Sequence, residues 1–222
     1  MTEGPGAVAT RARNRRGEGA RLRDDIVAAA VALLDETGDQ AAVSLRAVAR
    51  RVGIAAPSIY RHFADQPAML LAVVEQAFDE LNAVLRGARD AAGDDPRARL
   101  LAVCAAYLDF AQEHPGRYRT MFGGVWMPDL EASSLTEADM HALGRGTMEV
   151  VVGALSGCVA AGIAASTDVD ADAVALWLGL HGLAHQKSVT VSFPWPADIA
   201  ERLIVALAHL TGGRGRVGAG PP

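Results

Sequence analysis

VGIAAPSIYRHFAD, residues 52–65, crowds a glycine, a proline and a Tyr-Arg-His-Phe run into fourteen positions. Gly53 ends the helix before it, and Pro57 suits the first turn of the next, where a missing N–H costs nothing. Ile59 and Phe63 stand four apart and should pack inward with Ile54. That leaves Ala55, Ala56, Pro57, Ser58, Tyr60, Arg61 and His62 for the outside. Upstream, Ser44 can cap a helix whose Leu45, Val48, Ala49 and Val52 recur at three- and four-residue steps. Downstream, Asp65 can cap a longer helix with Pro67 in its opening turn, running through Leu70, Val74, Phe78 and Leu81 towards Leu85. An earlier helix, Arg21 to Thr37, carries a stripe of Ile26, Ala30, Leu33, Leu34 and Thr37 and stops at Gly38. A short helix, a glycine turn and a second short helix form a helix-turn-helix pattern. Small residues at the second helix start let backbone approach a partner closely, and the free N–H groups there attract phosphate. Polar side chains beyond them suit entry into a major groove.

The longer run VSLRAVARRVGIAAPSIYRHFADQPAMLLAV (43–73) resembles the DNA-binding region of the TetR family of transcriptional regulators, with the likeness extending from Arg21 to about Val74. The glycine turn, the Tyr60-x-x-Phe63 ending and the prompt start of the next helix carry it. The resemblance implies an all-helical homodimer with a three-helix head and a divergent ligand-binding body. It implies that Tyr60 and His62 contact phosphates, that Arg46, Ala56, Pro57 and Ser58 lie near base edges, and that Arg61 serves either purpose. With Ser44, Ala55 and Gln66 these residues make up the expected DNA surface. Gln66 departs from the family, which usually has a phosphate-contacting lysine there, so a smaller salt dependence of binding is expected.

Charge distribution agrees better with a nucleic-acid partner than the net charge of −5 does. Residues 1–65 hold ten arginines against eight acids, while the remainder holds eleven cations against eighteen acids. Arg11, Arg13, Arg15 and Arg16 form a basic arm, residues 1–19, expected to be disordered. It either reaches a minor groove or makes no contact. Residues 20–65 are the expected head, 66–211 the body, and the Gly/Pro-rich 212–222 a disordered tail. No apolar run is long enough to span a membrane, no secretory leader is evident, and the isolated Cys104 and Cys158 suggest a reduced cytoplasmic setting.

The whole chain reads as all-α, about nine helices. In the body, residues 87–96 look like a break. A helix should run from Arg97 to His114, a short one to Phe122, a long one from about Thr136 to about Ala165, and another from DVDADAV to about Val191. KSVTVSF (187–193) reads as a helix end and loop. ALWLGLHGLAHQ (175–186) places Trp177, His181 and Gly182 in an element similar to the body of a TetR subgroup named for Trp-His-Gly, and EHPGRYRTMFGG (113–124) resembles that subgroup as well. Trp177 and His181 share a helix face, an indole for apolar area and an imidazole for a polar handle. Phe78, Tyr107, Phe110, Met121, Phe122, Trp126 and Met148 are further candidates for a ligand wall, although each taken singly suits ordinary core. His181 and His185 stand i, i+4 as in a zinc helix, but Gly182 occupies the place of the glutamate, so no metal is expected. Small residues (Gly179, Gly182, Ala184, Ala206, Ala208) with Leu203, Leu207 and Leu210 suggest that the last two helices pair with a second copy.

No nucleophile order, P-loop, dinucleotide fingerprint or carboxylate pair is visible, so neither a catalytic residue nor a cofactor is expected. These features favour a ligand-responsive repressor that binds a palindromic operator as a homodimer and is released by a small, largely apolar molecule. A dimeric DNA-binding protein without a ligand, or a helical enzyme using His181, are the alternatives.

Overall fold

The computed structural model describes residues 18–122 and 128–211. The arginine arm and the tail lie outside them, although the first helix already begins at Glu18. Ten α-helices are present among the described residues: α1 (Glu18–Thr37), α2 (Leu45–Val52), α3 (Ala56–Ile59), α4 (Gln66–Ala91), α5 (Pro96–Glu113), α6 (Pro115–Phe122), α7 (Glu137–Ala142), α8 (Arg145–Ala160), α9 (Val169–Val189) and α10 (Ile199–Leu207). No strand is among them. KSVTVSF is the end of α9 and a turn, as its lack of a partner strand requires.

Caps start many of these helices. Ser44 accepts from the Ala47 N–H, Asp65 from Ala68, Asp95 from Arg97 and Asp168 from Ala171. Each side chain satisfies a donor that the helix itself leaves open. Thr136 and Asp139 form a reciprocal capping box on α7.

Two separate cores result. In the head, Ile26, Val27, Ala30, Val31 and Leu34 of α1 meet Leu45, Val48 and Ala49 of α2, then Ile59 and Phe63. Met69, Leu70, Ala72 and Val73 of α4 belong to that same core, so the head packs past the boundary expected at residue 65. The reason is size: some fifty residues bury too little apolar surface by themselves. Leu33 and Thr37, read as part of the α1 stripe, are half-buried and exposed respectively. The body core joins α4, α5, α8, α9 and α10 through Leu81, Leu85, Leu100, Tyr107, Leu155, Leu176 and Ile204.

Two expectations need correction. First, α4 does not stop near Gly87 but runs to Ala91, about 39 Å of helix at 1.5 Å per residue. Gly87 is a tolerated helical glycine, and the chain turns only at Gly93, whose φ is 75°. Second, the long helix expected from Thr136 is two helices, because Gly144 adopts φ 73° and restarts the chain as α8. That left-handed position also lets residue 144 sit against the Phe78 ring, where a Cβ would come within 3.2 Å. The leucines of the expected intersubunit seam are partly buried. Leu203, Leu207 and Leu210 pack on this chain's own core, and a Cβ on Gly179 would lie 2.4 Å from a Leu207 methyl. Gly179 thus serves close α9–α10 packing within one subunit.

Candidate functional site

Two sites emerge, one on the head and one in the body. In the head, Gly53 takes the left-handed conformation (φ 75°, ψ 28°) and its N–H returns to the carbonyls of Ala49 and Arg50. That closes α2 and swings the chain into α3. The second helix is shorter than expected, four residues with Pro57 in the first turn. Hydrogen bonds from His62 and Phe63 to the Ile59 carbonyl carry its spiral onward. Ile59 is wholly buried and Phe63 nearly so, which fixes the orientation of everything between them. Tyr60 is consequently 53% exposed, and Arg61, Pro57, Ala55 and Arg46 are exposed as well. Ala56, Ser58 and His62 are half-buried on the same surface. The Arg23 guanidinium sits 4.9 Å from the centre of the Phe63 ring and braces the end of this element against α1.

Three polar side chains of the head have structural duties. Ser44 is the α2 cap. Arg51 is bound in both arms by Glu36 at 2.8 and 2.6 Å, tying α2 to α1. Gln66 donates through its amide nitrogen to the Val43 carbonyl at 3.1 Å and, at 3.5 Å, to that of Gln40. The glutamine found where the family usually has a lysine therefore holds the entry to α2 against α4, a role no sequence pattern revealed.

In the body, aromatic rings gather around Phe122 at the end of α6. Phe78 meets it edge-on at 5.6 Å, His181 at 5.1 Å and near-perpendicular, Tyr118 at 5.0 Å, and Trp177 at 6.1 Å. These offset and edge-on arrangements match the ring quadrupoles. Phe122 divides two recesses of about 400 Å³ each. One is lined by Phe78, Phe122, His141, Leu143, Gly144, Arg145, Thr147, Met148 and Trp177. The other is lined by Tyr118, Arg119, Phe122, His181 and His185 with small and aliphatic neighbours.

Of the expected wall residues, Phe78, Phe122, Met148, Trp177 and His181 face a recess. Tyr107 and Phe110 do not. Both are core, Tyr107 behind Phe122 and Phe110 against His114 at 4.9 Å, because they lie on the face of α5 turned into the body, while Ala111 of the same helix reaches a recess. Met121 packs on the core and lines neither recess. Trp126 lies outside the described residues. Tyr118, Arg119, His141 and Arg145 carry no such mark in the sequence, since no periodicity shows that a polar residue on a short helix or at a helix start faces a cavity.

A polar thread runs beneath the aromatic layer. The Tyr107 and Tyr118 hydroxyls are 3.2 Å apart, and the Tyr118 hydroxyl is 2.7 Å from Nδ1 of His181. Burial pushes the Tyr107 phenol up to about 12 and raises Tyr118 further, so both remain neutral donors. Burial also lowers the His181 pKa below its ordinary 6.5, and nearby His185 adds to the shift. Below 6.5 the unfolded chain then binds more protons than the native one. Stability from this group is complete above about pH 6.5 and is lost as pH falls. Melting at about pH 5.5 should therefore occur at lower temperature than at about pH 7.5, and His181→Gln should flatten that difference. An unchanged slope in the variant would show that other groups cause it.

Polar contacts also link head to body. Arg117 on α6 is paired with Glu80 of α4 and, at 3.2 Å, with Asp35 of α1. The second carboxylate oxygen of Asp65 accepts from the Ser134 N–H at 2.7 Å.

Comparison with known proteins agrees with both halves. A family described as bacterial regulatory proteins, tetR family, matches residues 26–73, a span that begins and ends on head-core residues Ile26 and Val73. A second, described as tetracyclin repressor-like, C-terminal domain, matches residues 100–210. The chain belongs to the TetR family. This is a family of regulators rather than of enzymes. The HTH-type transcriptional activator FasR of Mycolicibacterium smegmatis is 29% identical over 126 residues, 54% of this chain and 56% of its own length. This TetR-family chain spans about half the length of the curated relatives it matches. A Rhodococcus sp. RHA1 protein of unknown function superposes with a TM-score of 0.68 at 27% identity, covering 84% of this chain and 91% of that one. The fatty acid degradation regulator FadR from Bacillus halodurans shares the fold, with a TM-score of 0.64 at 14% identity, over 83% of this chain and 97% of its own.

Proposed function

We propose that this protein is a cytoplasmic transcriptional regulator that binds a palindromic operator as a homodimer and is released from it by a small, largely apolar ligand. The observation that carries the DNA reading is the exposed Tyr60–Arg61 pair, held outward by buried Ile59 and Phe63 on a helix-turn-helix of the matched family. Exposed Tyr60 and half-buried His62 are suited to phosphates, and Arg46, Pro57 and Ser58 to base edges. The Trp177, His181 and Gly182 spacing supports a place in the Trp-His-Gly subgroup.

Support for pairing comes from α9. Its outer face leaves Val174 and Leu178 exposed, continued by Val189, Val191 and Phe193. Exposed Gly182 lies along the same line and adds no side chain to keep a partner away. Two heads on such a dimer would read half-sites about 34–36 Å apart.

The ligand reading rests on the recesses beside Phe122. Phe122 and Tyr118 lie on α6, and so does Arg117, which grips α1 and α4. A ligand that displaces the two rings would move α6, and Arg117 would pass that movement to the head. Release follows if the ligand prefers a state with the heads wrongly spaced, a coupling of about 1–3 kcal/mol.

Binding to the chain's own upstream DNA, with competitor present, tests the first part. Tyr60→Phe should weaken binding to specific and random DNA alike, by roughly five-fold per head, for loss of one phosphate bond in each. Ser58→Ala should instead change which half-site is preferred. If both variants lose affinity with preference unchanged, the roles assigned within α3 are wrong. A monomeric mass at concentrations that saturate the operator would defeat the paired-head reading.

A further inference from the structure

The walls beside Phe122 have a charge character that the chain as a whole does not share. The protein carries 26 acidic residues against 21 Lys and Arg, yet among the described residues no carboxylate lines either recess. In the recess toward α8 the floor is apolar and aromatic: Phe78, Phe122, Met148 and Trp177. Its polar wall residues are His141, Arg145 and Thr147. Thr147 is buried, and its hydroxyl already donates to Asn82 Oδ1 at 2.7 Å. Arg145 is exposed and, like Arg119 of the other recess, makes no ion pair among the described residues. Gly144 holds it beside Phe78 at the first position of α8, a 16-residue helix whose start has no side-chain cap. The positive end of that helix adds to the field of the guanidinium.

We infer that the ligand is an amphipathic anion: an apolar body of roughly eight to ten carbons on the aromatic floor, with one carboxylate-like head group on Arg145. Aromatic walls alone would also suit a quaternary ammonium. The charge at the rim decides against one, because Arg145 would repel it and no acid among the described residues stands in the wall to compensate. A neutral ligand would fill the floor and leave the exposed guanidinium to solvent, forgoing the charge-assisted bond that an anionic head group would add. This inference rests on the reading of the body as a ligand site and narrows it to a chemical class.

Titration calorimetry on the full chain with octanoate, 1-octanol and octyltrimethylammonium separates the possibilities. Octanoate should bind roughly ten-fold tighter than octanol, with the ammonium weakest. Arg145→Gln should bring octanoate down to the octanol level and leave octanol unchanged, Arg145→Lys should keep part of the preference, and Arg119→Gln should keep all of it. Circular dichroism and melting temperature show that each variant is folded. Octanol binding as tightly as octanoate, or a preference that survives Arg145→Gln, would overturn the charge assignment while leaving the ligand site standing. A preference lost in Arg119→Gln alone would put the head group in the other recess, against this inference. No binding by any of the three probes to folded protein would overturn both the inference and the ligand site beneath it.

Discussion

Arg117→Gln should leave the ligand-free protein binding its operator within a few-fold of wild type, yet remove most of the ligand's power to change that binding. Arg117 is the side chain of α6 that reaches two elements at once, Glu80 on α4 and Asp35 on α1. Its partners are partly solvated, with side-chain exposures of 35% and 43%, so the pairs contribute little to stability, about 1 kcal/mol or less. Their value is geometric. A planar guanidinium can hold two carboxylates in fixed directions, which a glutamine cannot do and a lysine does poorly. If α6 is the element the ligand moves, losing this grip should cost most of the coupling, on the order of 5- to 150-fold in operator affinity. Fluorescence anisotropy with labelled operator, with and without a ligand chosen by its thermal shift on wild type, measures it. Coupling that stays within two-fold of wild type would mean that the signal travels through α4 alone or through the Asp65–Ser134 contact.

The second large effect is expected from Ile59→Ala. Ile59 has no exposed surface and sits where α3 closes on the head core. Truncating it removes buried methyl and methylene groups and leaves a cavity, at about 2–4 kcal/mol. A head of some fifty residues cannot absorb that loss, whereas the body core shares none of its buried residues with the head. The variant should therefore lose operator binding by more than about ten-fold at temperatures where the body is still folded, and its melt should separate into two steps. Near-ultraviolet dichroism from the body tryptophans should persist through the first step. A single transition with operator binding intact would mean that head and body unfold as one unit and that Ile59 is not the anchor of α3.

How much could be read beforehand differs between the two halves. In the head, Ser44, Gly53, Pro57, Ile59, Phe63 and Asp65 act through their nearest chain neighbours: a cap, a left-handed turn, a first-turn proline, a pair one turn apart. Such interactions span three or four residues, so spacing alone reveals them, and the family likeness lies on those positions. The body is different. Phe78, Phe122, Met148 and Trp177 come from four separate helices, and only packing could separate them from Tyr107 and Phe110, which are equally aromatic but lie inside the core.

Sequence by itself therefore determined the helices of the head, their caps, the outward face of α3 and the family. Local hydrogen bonding and backbone sterics act over a few residues and leave their marks in order along the chain. Only the tertiary structure decided that Gln66 braces α2, that Gly144 splits one expected helix into two, that Leu203 and Leu207 of α10 close on Gly179 of α9, and that Arg145 and His141 rim an apolar recess with no acid among its described lining. Each of those depends on which side of one helix meets which side of another, a balance of buried area and charge across the whole molecule that spacing along the chain does not record.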